Sequence, residues 1–180
     1  MSRAEYTLGK QCGVTFAGIK PASLFGMKRS EAGKLKGLER RFRKRGFSFE
    51  RMKRNGERVS LYIYHAERLK GVLFDSENKN FLEGLGYRYG TVSEAVGQLK
   101  KRMRGEDFPH EVGIFLGYPL EDVRGFIADP CGGTMLGCWK VYRNAEEKAK
   151  TFARFRQCTE CICRKLESGQ TLAQIFRVVR

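Results

Sequence analysis

A chain of 180 residues with 35 Lys and Arg against 20 Asp and Glu carries a formal charge of +15, which favours phosphates and acidic partners over cationic ones. Its hydrophobic share of 41% and its 13 phenylalanines can fill a core without disulfide staples, so Cys12, Cys131, Cys138, Cys158, Cys161 and Cys163 are expected to be reduced thiols. No apolar run reaches the ~18 residues of a membrane span, and Met1-Ser2-Arg3-Ala4-Glu5 lacks an apolar leader core, so the expectation is a cytoplasmic protein with no membrane contact.

Residues 12–19 read as a short buried helix that stops near Lys20-Pro21, because proline disfavours helix in the residue before it. Residues 30–45 read as one strongly basic helix with Leu35, Leu38 and Phe42 on one face, ended by Gly46. A hairpin follows. Phe47 and Phe49 alternate with polar residues, Asn55-Gly56 supplies a two-residue turn, and Val59, Leu61 and Ile63 alternate on the return strand with Tyr62 and Tyr64 on its other face. Helices are expected near 65–73, 76–84 and 91–104, the last opened by the capping box Thr91-Val92-Ser93-Glu94. Val112 to Leu116 reads as a buried strand, and Pro119, Glu121 and Asp122 open a short helix. Trp139 to Tyr142 reads as a further strand. Asn144 and Glu147 start a long helix through Phe152 and Phe155 to about Leu166, and Thr171 to Val179 forms a last helix or edge strand. Without repeats, linkers or regular βαβ alternation, the expected fold is a single α+β domain over 1–180. It has a small antiparallel or mixed sheet with an N-terminal hairpin region, packed by several helices.

Three blocks carry a resemblance. The first is Cys12-Gly13-Val14-Thr15-Phe16-Ala17-Gly18-Ile19-Lys20 with Leu24-Phe25. The second runs from Phe108-Pro109-His110-Glu111 through Gly117-Tyr118-Pro119 to Glu121-Asp122-Val123 and Gly125-Phe126-Ile127. The third is Gly137-Cys138-Trp139-Lys140-Val141-Tyr142. In this order they resemble the bacterial domain-of-unknown-function family number 3793 over nearly the whole chain. The resemblance implies a stand-alone bacterial protein of about this size and brings no reaction, cofactor or partner with it.

The candidate chemistry starts from Cys12. At the start of a helix its thiol would be lowered in pKa, with His110 as base and Asp122 or Asp129 as the carboxylate that orients the ring. The order Cys, His, Asp looks like that of papain-like thiol hydrolases, and His110 to Tyr118 looks like their histidine strand. The departure is Gln11, which adjoins Cys12 instead of preceding it by several residues. Lys20, Glu111, Cys138, Trp139 and Lys140 are expected around the same pocket, where the blocks converge. The leading expectation is a thiol-dependent hydrolase or acyl transferase of unknown substrate. The alternative is a non-catalytic basic protein that binds nucleic acid or another polyanion. Lys28 to Arg58 holds 13 Lys and Arg against 4 Asp and Glu, and Arg40, Arg41, Arg43, Lys44 and Arg45 lie beside Tyr62 and Tyr64, which could stack on bases. A third reading is a cysteine-rich metal or redox protein using Cys158, Cys161 and Cys163. On a helix advancing about 100° per residue, Cys163 points away from the other two, so no metal and no cofactor are expected. No phosphate-loop glycine motif occurs.

Overall fold

The structure, a computed structural model, describes residues 2–178. Ser2 Oγ accepts from Glu5 N at 3.2 Å and caps α1 (Arg3–Phe16). Ala4, Leu8, Cys12 and Phe16 follow at four-residue spacing, all buried. The helix expected over 12–19 is therefore the end of a longer one, and Cys12 lies in its C-terminal half. The chain turns at Gly18 (φ 73°) into β1 (Ala22–Lys28), a strand that the sequence pattern did not reveal.

The expected basic helix over 30–45 is two pieces, α2 (Arg29–Gly33) and α3 (Lys36–Arg43), broken where Gly33 and Gly37 lower helix propensity. Leu35 and Phe42 nonetheless reach the core and Leu38 packs at its margin. Gly46, at φ 80°, ends the segment.

The hairpin forms as β2 (Phe47–Asn55) and β3 (Arg58–His65). Asn55 pairs with Arg58, so the two-residue loop is Gly56-Glu57, one position later than the Asn-Gly signal suggested, with Gly56 at φ 54°. The antiparallel sheet runs β1-β3-β2. Phe47, Phe49, Val59, Leu61 and Ile63 share one cluster with α1, α3 and the later helices, where Phe16 stacks on Phe42 with ring centroids 4.0 Å apart. Tyr62 and Tyr64 lie on the other face and are buried as well.

Five helices follow the sheet: α4 (Ala66–Leu73), α5 (Ser76–Gly84), α6 (Val92–Arg102), α7 (Val112–Phe115) and α8 (Leu120–Ala128). Asp75 caps α5 through Oδ1, and the Thr91–Glu94 capping box starts α6 as expected. The buried strand expected over 112–116 is instead the single helical turn α7. A short apolar run has no period that separates a strand from a buried helical turn. Here Pro109 O accepts from Val112 N at 3.0 Å and Gly113 O from Tyr118 N at 2.9 Å, which curls the segment on itself. Two short strands, β4 (Met135–Leu136) and β5 (Lys140–Val141), pair antiparallel, the second within the expected 139–142 stretch. Then come α9 (Ala145–Glu167) and α10 (Leu172–Ile175), the latter with a Thr171–Gln174 capping box. Val179, the end of the expected C-terminal segment, lies outside the described residues.

Among the described residues the fold is α+β, with ten helices and two small antiparallel sheets. One domain was expected. The chain divides into two compact units, Met1–Glu67 with Phe155–Arg180, and Arg68–Arg154. Both crossing points fall inside helices, α4 and α9, which is why no Pro, Gly or Ser linker marks them. No helix among the described residues is long and apolar enough to cross a membrane.

Candidate functional site

The second unit holds an apolar pocket of about 330 Å³ built from the second and third sequence blocks. Phe108, Tyr118, Phe126 and Trp139 supply aromatic walls, and Val112 and Val123 line it between them. His110, Lys140, Asp122 and Tyr118 are its ionisable residues. His110 is exposed and sits between Phe108 and Phe126, at ring-centroid distances of 5.7 and 5.1 Å.

The wall is held by a buried carboxylate. Asp122, 1% exposed, accepts the Trp139 Nε1–H at 2.7 Å through Oδ2. Its Oδ1 accepts from Tyr142 N at 2.7 Å and Arg143 N at 3.4 Å. The indole fixed in this way stacks on Tyr118 (4.7 Å, 25°) and meets Phe152 edge-on at 4.5 Å. Burial, with Cys138 adding to it, pushes the Tyr118 hydroxyl up to about 12, so it stays protonated at neutral pH. Lys140 Nζ donates to Pro130 O at 2.5 Å and keeps its remaining protons for other acceptors. Close approach also shapes the wall: a Cβ on Gly137 would sit 2.1 Å from Phe152 Cε2.

The other expected site residues fall elsewhere. Cys12 belongs to the first unit and is fully buried in its apolar cluster. Burial pushes its thiol well up, outweighing a hydrogen bond with Ser23 and the charge of Lys20. The helix-start argument fails because α1 begins at Arg3, so Cys12 has neither the access nor the lowered pKa of a nucleophile. Asp129 is exposed and closes its own turn, with Oδ1 accepting from Cys131 N at 3.1 Å and Gly132 N at 3.0 Å. Glu111 is buried and accepts from Tyr87 Oη at 3.0 Å and Arg102 Nη1 at 3.3 Å, so it serves that network. Cys138 is exposed, and its carbonyl accepts from the Tyr118 hydroxyl at 3.5 Å.

The basic segment is also rearranged. Tyr62 and Tyr64 are buried against each other's rings (5.3 Å) and offer no face to a base, because β3 is covered on both sides. Arg45 is occupied: its Nη1 donates to Phe176 O at 3.0 Å and Arg177 O at 3.3 Å. Arg40, Arg43 and Lys44 are exposed and Arg41 is half-buried. Cys158 and Cys163 are half-buried on α9 and Cys161 is exposed. No group of three or more His, Cys, Asp or Glu positioned for a metal occurs among the described residues. Sequence reasoning missed Tyr118, Phe126 and Phe108 as wall residues. The aromatic density of the second block was the available signal.

Fold and pocket together define an α+β protein with an open aromatic pocket of small-molecule size. The chain belongs to the family described as "Protein of unknown function (DUF3793)", whose profile matches residues 8–176. No curated protein and no solved structure matches it.

Proposed function

We propose that the protein is a non-catalytic binding protein for a small ligand that has a planar apolar body and an anionic group. The observation that carries this reading is the Tyr118–Trp139 stack, held by Asp122 in a pocket with few polar groups. A planar ring can slide against aromatic walls, while Lys140 offers the charge, and the His110 ring a hydrogen bond, for a carboxylate or sulfonate. The thiol-hydrolase reading is not adopted, because Cys12 is buried and its thiol is pushed up. The binding reading needs no cofactor. A cytoplasmic location goes with it, supported by six free thiols.

Trp139 is the sole tryptophan, so ligand entry can be read directly from its fluorescence. At roughly −0.3 kcal/mol per non-hydrogen atom, a ligand of about 15–20 such atoms binds in the range of tens to hundreds of micromolar. The probe is 8-anilinonaphthalene-1-sulfonate. Titration is expected to quench Trp139 saturably at one site, and Phe126→Ala and Lys140→Ala are each expected to weaken binding several-fold. Unchanged affinity in both variants would place the probe elsewhere and remove the reading.

A further inference from the structure

The first unit carries a site of opposite chemistry, made by an irregularity in β2. On an unbroken antiparallel ladder, side chains alternate faces and residues three apart point to opposite sides. Arg51 pairs with Leu61 and Arg54 with Val59, so β2 advances three residues while β3 advances two. The extra residue returns Arg54 to the face of Arg51. That face bears Phe49, Leu61 and Val59 and packs in the cluster that includes Ala32 of α2 and Phe42 of α3. Arg29 and Lys36 come from those two helices. The product is a concavity of about 480 Å³ where Arg29, Lys36, Arg51 and Arg54 converge, with Glu39 the one acid in its lining.

Glu39 is buried and accepts from Arg51 Nη2 at 2.9 Å, which neutralises one cation and fixes its fork. The side chains of Arg29, Lys36 and Arg54 form no ion pair among the described residues. Three uncompensated cations facing one hollow repel each other until an anion enters. Guanidinium forks match phosphate oxygens in pairs, whereas a lone carboxylate would leave most of these donors unused.

We infer that this concavity binds a compact phosphorylated ligand, with a phosphate or pyrophosphate group seated between Arg54, Lys36 and Arg29. A single nucleic-acid strand is the less fitting occupant. Such strands need an open basic track with exposed rings, and the nearby Tyr62 and Tyr64 are buried. The inference is independent of the aromatic pocket, which lies wholly in the other unit.

The test is calorimetric titration of the full chain with inorganic pyrophosphate at about 0.15 M ionic strength, where diffuse surface attraction is largely screened. Saturable one-to-one binding is expected. Arg54→Gln and Lys36→Gln, both exposed and checked for folding by circular dichroism, are expected to weaken it about tenfold or more. Arg54→Lys should fall between, because it keeps the charge and loses the fork. The double change Arg40→Gln with Arg43→Gln should alter affinity by less than about twofold. Absence of saturable binding would overturn the inference. So would an equal loss in the Arg40/Arg43 variant, or displacement of pyrophosphate by a short oligonucleotide whose binding depends on Arg40 and Arg43.

Discussion

Replacing Asp122 with Asn keeps shape and volume but changes what the buried site can accept. Three N–H donors meet this carboxylate: Trp139 Nε1 at 2.7 Å on one oxygen, and Tyr142 N at 2.7 Å with Arg143 N at 3.4 Å on the other. An asparagine has one acceptor oxygen and one NH2 group, so one flank must face donor to donor. A hydrogen bond to a charged acceptor contributes about 1.5–3 kcal/mol net, and an unsatisfied buried donor costs about 1–3 kcal/mol. Asp122→Asn is therefore expected to lose about 2–4 kcal/mol, and Asp122→Ala, which frees both short bonds, about 3–5 kcal/mol. Urea unfolding followed by Trp139 emission reads the loss and also reports the indole's own surroundings. The emission of folded Asp122→Asn should shift, because the ring is released from its partner. A variant within about 0.5 kcal/mol of the parent, with unchanged emission, would refute the assignment of Asp122 as the wall's anchor.

Gly137→Ala forces a Cβ to within 2.1 Å of Phe152 Cε2 and is expected to cost about 1–3 kcal/mol in thermal unfolding, whereas Gly97→Ala, with nothing within 4 Å, should stabilise α6 by about 0.5–1 kcal/mol. Cys12, with its thiol pushed up by burial, should be the last cysteine alkylated by iodoacetamide at pH about 8, after the exposed Cys131, Cys138 and Cys161; peptide mass mapping that finds it modified first would restore it as a candidate nucleophile. The N–H groups of Gly90 and Thr91 hold the Glu94 carboxyl below the usual carboxylate range, so its contribution is complete above the unfolded value and is lost as pH falls through the lowered folded one. Glu94→Gln should flatten that part of the acid unfolding curve, and superimposable curves would count against the capping box as a pH-sensitive element.

The parts of the fold that were legible are those written in local chemistry. The β2–β3 hairpin shows alternation at Phe47 and Phe49 and at Val59, Leu61 and Ile63 on the two sides of Asn55-Gly56, and α6 begins at a capping box that needs only four residues. The start of α1 was hidden because its polar face, Lys10 and Gln11, interrupts the pattern just before Cys12. Strand β1 was hidden because its partner β3 lies some forty residues on, as in the Leu24–Tyr62 pair, and nothing local announces a pairing. Burial of Tyr62 and Tyr64 is not legible in the sequence, because alternation marks two sides of a strand and cannot say that both are covered. The bulge that unites Arg51 and Arg54 has no sequence signature either, since Arg51-Met52-Lys53-Arg54 reads equally well in either register. At the site, His110, Asp122, Trp139 and Lys140 stand in the distinctive blocks and line one pocket, whereas the residue order Cys, His, Asp cannot tell that burial pushes the Cys12 thiol up and that Asp129 closes its own turn.

The second and third blocks make more sense as mutual packing instructions than as a catalytic list. Asp122 of one block binds Trp139 and Tyr142 of the other. A Cβ on Gly113 would lie 2.7 Å from Val123 Cγ2, and one on Gly125 would lie 2.4 Å from the Tyr142 ring, so those glycines exist for close approach and leave no room for a side chain. Glu111 is consumed by Tyr87 and Arg102, whose guanidinium also lies 4.5 Å above the Tyr87 ring. Once these demands are met, few side chains in the blocks remain without a structural task. Phe108 keeps about half its surface in solvent, 53%, although exposing a phenylalanine brings the isolated chain no stability. His110 is exposed between two aromatic rings, and Phe126 faces the same hollow. Apolar side chains held at a pocket mouth are the ones a ligand would cover, so the binding function proposed above would put recognition at the Phe108–His110–Phe126 edge, backed by the hydrogen-bonded Asp122–Trp139 pair.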